Sequence, residues 1–130
     1  MPHLFAKTLF AGALALAPLT ASAAELVMVE QVGCAYCEMW HKQIGPIYPK
    51  TSVSAVAPLR SVQLTEIDDA GFDIARPVVF TPTFLLVDDG QELARLEGYA
   101  GEDFFWPLVE KMVAEHAGSP LSDTASGSGS

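Results

Sequence analysis

The sequence predicts an α/β domain in which a central mixed β-sheet is flanked by α-helices. Two observations predict it. Apolar or period-two segments alternate with helical ones, and the series closes on a hairpin followed by a long amphipathic helix. The resulting order, β-α-β-(α)-β-β-α, makes a sheet core covered by helices the natural arrangement.

Glu25-Leu26-Val27-Met28-Val29-Glu30 is almost wholly apolar inside, as a buried central strand is. Gly33 breaks it. Residues 34–44 have helical character, with Cys37, Trp40 and Ile44 on one face at i, i+3 and i+7. Gly45-Pro46 kinks or ends that helix. Residues 47–58 are mixed, with a second helical piece closed by Ala57-Pro58. Residues 61–67 alternate with period two and read as a strand, and 68–76 as a connector or short helix. Phe84-Leu85-Leu86-Val87 is another buried strand, Asp88-Asp89-Gly90 a hairpin turn, and residues 92–97 alternate back to Gly98. Residues 101–117 form an amphipathic helix. Phe105, Leu108, Val109, Met112, Val113 and His116 line one side of it, and Pro107 is tolerable only in its first turns.

The first segment has a different grammar. Lys7 precedes an apolar run over residues 9–19, and Ala21-Ser22-Ala23 then supplies the A-x-A pattern of signal-peptide cleavage. The run is too short and too rich in Ala and Gly to span a bilayer, where about 20 apolar residues are needed. Residues 1–23 are therefore expected to be a signal peptide, with an uncleaved anchor the weaker alternative. The mature chain is expected in the periplasm. Residues 24–118 make one domain, and 119–130, rich in Ser, Gly, Asp and Thr, make a disordered tail or an appended linker. The 130 residues carry a formal net charge of -9 and no basic run. A nucleic-acid or anionic-membrane surface is not expected from such a chain.

Cys34 and Cys37 are the only cysteines, and an oxidising compartment favours their pairing. A bridge across two residues closes a tiny loop and removes little chain entropy. The pair is poorly placed as a staple and well placed as chemistry. Cys34 stands where the helix starts, facing unpaired backbone N–H groups and the positive end of the helix dipole. Both favour the thiolate, which is the nucleophile. Cys37, one turn on, can reach Cys34 and expel a bound partner through thiol–disulfide exchange. C-x-x-C between a strand and a helix is a redox signature. A metal carrier using Cys34, Cys37 and His41 is an alternative, although no second C-x-x-C supplies further ligands. Covalent haem is excluded because Glu38, not histidine, follows Cys37.

Thr81-Pro82-Thr83-Phe84 enters a buried strand, where proline ordinarily marks an edge or a bulge. A strand, C-x-x-C at a helix start, Thr-Pro entering a later strand, a hairpin, Gly98 and a final helix together resemble the thioredoxin superfamily. The resemblance covers the whole expected mature core. It implies that Pro82 is cis and lies against the cysteine pair. It further implies that Thr81 offers backbone hydrogen bonds to an extended partner segment, a short β-augmentation. The strings around Val29-Glu30-Gln31-Val32-Gly33-Cys34-Ala35-Tyr36-Cys37, residues 44–50, residues 75–84 and residues 97–106 resemble the periplasmic thioredoxins of bacterial sulfur-oxidation (Sox) systems. That likeness implies a monomeric reductase of periplasmic thiol/disulfide proteins, with a SoxYZ-like sulfur carrier as partner. Electrons would come from a membrane thiol transporter of the CcdA/DsbD type. No cofactor or resident metal is implied. A disulfide oxidase or isomerase of the Dsb kind is the alternative direction.

The sequence also departs from ordinary thioredoxins. Met28 stands where the family has a buried acid, and Gly33 where it has an aromatic residue before the first cysteine. Glu30 and Glu38 flank the pair, and their charges oppose the helix dipole at Cys34. Both read as solvated carboxylates more readily than as proton acceptors. Tyr36, between the cysteines, is expected to meet the partner. Trp40 is expected in the core, Trp106 in either role, His41 on the surface and His116 in a structural place.

Overall fold

The computed structural model describes residues 11–16 and 24–117. Of the expected signal peptide only 11–16 falls among them, exposed and without helix or strand, and the expected tail over 119–130 lies outside them. The elements are β1 (Ala24–Glu30), α1 (Ala35–Gln43), α2 (Ser52–Val56), β2 (Leu59–Gln63), β3 (Thr83–Asp88), β4 (Gln91–Glu97) and α3 (Glu102–His116). Short 3-10 turns cover Tyr48–Lys50 and Leu64–Asp69.

The strands form one mixed sheet in the order β2-β1-β3-β4. β1 runs parallel to β2, with Val29 opposite Val62, and antiparallel to β3, with Met28 opposite Phe84. The unbroken apolar sequence of β1 follows from this place, because both of its faces are covered. Leu26 and Met28, with Phe84 and Leu86 of β3, point to the side that α1, α2 and α3 cover. Val27, Val29, Leu85 and Val87 point to the other, as a period of two demands. Trp40 at the centre of the helical side packs among Tyr48, Phe84 and Phe105, with ring centroids 5.4 to 6.3 Å away. Each such buried side chain contributes about 1.5–3 kcal/mol from area alone. The Tyr48 hydroxyl donates to the Ala57 carbonyl at 2.6 Å, and burial pushes its phenol pKa up. Trp106 is partly buried and stacks on Tyr48.

The opposite side has no α-helix among the described residues. The 3-10 turn and the irregular segment after it cover it, through Ile67 with Leu64, Ala70, Phe72, Ile74 and Val78. Here the strand expected over 61–67 stops at Gln63. Val62 and Ile67 lie an odd number of residues apart, so a continued strand would send them to opposite faces. The turn brings both into one cluster. The final helix departs from expectation at two residues. Leu108 lies at the margin of the apolar arc and is exposed, as is His116 at the helix end. His116 faces Glu115 rather than the core.

Candidate active site

The site forms where β1 hands over to α1. Gly33, at φ 81°, takes the left-handed turn between them. A side chain there would be strained, which accounts for glycine in place of an aromatic residue. Cys34 follows in extended conformation as the N-cap of α1, and its sulfur accepts a hydrogen bond from the Cys37 N–H at 3.1 Å. Sulfur thus takes the place that a Ser or Asp oxygen holds at most helix starts. Negative charge on Cys34 Sγ would face an otherwise unpaired amide and the positive end of the helix.

Cys34 and Cys37 are joined as a disulfide, their Cα atoms 5.2 Å apart. Cys37 is the deeper, held in the core by the same helical face that buries Trp40 and Ile44. On the other side of the bridge the Thr81 carbonyl oxygen lies 3.4 Å from Cys34 Sγ. The Thr81–Pro82 peptide bond is cis. Gln31 Nε2 donates to Thr81 Oγ1 at 2.9 Å, tying the turn after β1 to the segment before β3. Thr83, fully buried, donates its hydroxyl to the Phe80 carbonyl at 2.6 Å, and the Gly98 N–H donates to the Pro82 carbonyl at 2.8 Å.

Around this bridge the surface is apolar and open. Tyr36 is 59% exposed, Phe80 60% and Val79 72%. A groove of about 510 Å³ runs between Tyr36, Phe80, Thr81, Glu97, Gly98 and Tyr99. Cys34, Cys37, Tyr36, Thr81 and Pro82, singled out from the sequence, come together here from two separate segments.

Reading residues one at a time missed a pair. Glu30 Oε2 and His41 Nε2 are 2.6 Å apart, the carboxylate more sheltered than the ring. The signal was available in two halves. Glu30 follows Leu26 and Met28 on the side of β1 that faces α1, and His41 lies one turn beyond Cys37. Met28 is fully buried where the family places an acid. Glu38 remains exposed in the first turn of α1. Among the described residues no group of three or more His, Cys, Asp or Glu side chains is arranged to hold a metal ion.

The sequence matches the family model of a thioredoxin-like domain over residues 11–113. Among solved structures it is similar to the periplasmic thioredoxin SoxS from Paracoccus pantotrophus in its reduced form. Identity is 44%, the match covers 71% of this chain and 97% of that one, and the TM-score is 0.68. A Malassezia sympodialis thioredoxin (Mala s 13) is 19% identical, with 73% and 76% of the two chains covered and a TM-score of 0.49. No curated protein matches the chain.

Proposed function

This chain belongs to the thioredoxin-like family of thiol:disulfide oxidoreductases, and on that premise we propose that it is a periplasmic reductase that restores thiols on a sulfur-carrying partner. The observation that carries this reading is the setting of Cys34: its sulfur rests on the Cys37 amide at the start of α1, beside the Thr81 carbonyl and an open apolar groove. Similarity to a periplasmic Sox thioredoxin supports the compartment and the choice of a SoxYZ-like carrier.

The reaction begins from the dithiol. Cys34 thiolate attacks one sulfur of the partner's disulfide, the partner's S–S bond breaks, and the departing thiolate takes up a proton. A mixed disulfide now joins Cys34 to the partner. Cys37, after losing its proton, attacks Cys34 Sγ. The intramolecular disulfide forms and the second partner sulfur leaves as a thiol. Two electrons have passed from this chain to the partner. A membrane dithiol transporter of the CcdA/DsbD type returns them. Tyr36 supplies an aromatic contact to the partner, and Thr81-Pro82 the edge along which its extended segment lies.

Cys37→Ser tests this division of labour. With an oxidised SoxYZ-like carrier, the reduced variant is expected to accumulate a mixed disulfide that dithiol releases, while Cys34→Ser forms none. Accumulation with Cys34→Ser and not with Cys37→Ser would reverse the roles and overturn the reading.

A further inference from the structure

One buried charged pair has no part in the chemistry described so far. Arg95 and Glu92 lie on β4 with side chains only 5% and 3% exposed, their charged groups directly hydrogen-bonded. Three residues apart on a regular strand they would point to opposite faces. A bulge prevents this. Val87 pairs with Glu92 and Leu86 with Ala94, so Leu93 has no partner across the ladder. The extra residue re-aims Glu92 onto the same face as Arg95. That face is the one without an α-helix among the described residues.

What the pair holds is the chain leading to the docking edge. Arg95 Nη2 donates to the Arg76 carbonyl at 2.8 Å, and Nη1 reaches the Pro77 carbonyl at 3.4 Å. Glu92 Oε2 accepts from the Ala75 N–H at 2.6 Å. Arg76 in turn reaches Glu97, which lines the groove beside Phe80 and Thr81. Upstream, Asp73 is bonded to Gly90 and Glu92 through the backbone. Downstream, Phe80 is held by Thr83 and Thr81 by Gln31. Val79, between these two anchorages, and the Phe80 side chain stand exposed at the rim of the site.

We propose that Arg95, set in place by Glu92 and the bulge at Leu93, is a positioning residue that presents the 78–81 segment to protein partners. A buried ion pair is weak evidence for stability, since well-packed apolar residues of similar volume often serve as well. Its distinctive property is direction. The planar guanidinium holds a carboxylate and two backbone carbonyls in one fixed fork, a geometry that the compact ammonium of lysine does not impose and an alkyl chain lacks altogether. The proposal rests on the reductase reading, because it assigns the segment to that reaction's partner.

The test uses the whole protein and insulin as a protein disulfide, with dithiobis(nitrobenzoate) as a disulfide too small to need the rim. Arg95→Met/Glu92→Met removes both charges together, and Arg95→Lys keeps the charge opposite Glu92 while losing the fork. Each is expected to raise KM for insulin about five-fold, the scale of one or two lost hydrogen bonds. The kcat, the rate with the small disulfide and the reduction potential should stay within about two-fold or its equivalent in potential. Amide exchange at residues 75–81 should rise in both variants. An unchanged KM with unchanged exchange overturns the proposal, as does an equal fall in kcat with both substrates. If the parent protein fails to reduce insulin or the small disulfide, the reductase reading fails. Exchange at 75–81 then still decides whether Arg95 orders the segment.

Discussion

At Cys34 one atom has two tasks. Its sulfur caps α1 through the Cys37 amide, and it is the atom that meets the partner in the proposed exchange. The cap and the thiolate are favoured by the same unpaired amide, so the local fold and the reactivity share a cause. Tyr36, two residues on, has the opposite character. It is largely exposed and lines the groove. Tyr36→Ala is expected to change unfolding free energy by no more than about 0.5 kcal/mol, as exposed positions do. KM for a protein disulfide should rise in the same variant. Denaturant unfolding and insulin turnover measure the two quantities separately, and an unchanged KM would remove Tyr36 from the partner surface.

Among the elements, β4 shows how a local irregularity creates a pH-dependent contact. Burial alone pushes the Glu92 carboxyl up. Hydrogen bonds from Arg95 and the Ala75 amide, with the charges of Arg95 and Arg76, outweigh it and hold the group below its ordinary range. A carboxyl lowered by folding adds stability above its unfolded pKa, about 4.3 for Glu. That stability is lost as pH falls through the folded value. The Tm difference between the parent protein and Glu92→Gln should therefore be constant from about pH 6 to 8 and shrink below about pH 4. A difference that grows on acidification would contradict this sign. The same element marks the limit of what sequence patterning reveals. Residues 92–97 read as simple alternation, and nothing in the pattern signals that Leu93 is bulged. Glu92 and Arg95 therefore gave no sign of being partners. Glu30 and His41 were hidden for a related reason, since their contact depends on how β1 and α1 pack. β1, β3, α1 and α3 were legible because burial of a whole face writes itself into the apolar period. Cys34 and Cys37 were legible because their chemistry needs them one helical turn apart.

The whole molecule divides its labour between the two sides of the sheet. The helical side builds the aromatic core around Trp40 and sets the cysteines at the start of α1. The other side dispenses with an α-helix among the described residues, and its covering segment runs on into Thr81 and the rim of the site. Met28 in place of a buried acid and Glu38 near the helix start make the potential of the pair the quantity to measure. The direction of electron flow is the central claim, and the redox equilibrium of Cys34 and Cys37 against a dithiol buffer tests it most directly. Alkylation and mass read the reduced fraction, and for this two-electron couple about 30 mV corresponds to about 1.4 kcal/mol. The reductase reading predicts a potential near that of thioredoxin, about -270 mV. A value near the strong oxidants, about -120 mV, would contradict it and make the protein a disulfide donor.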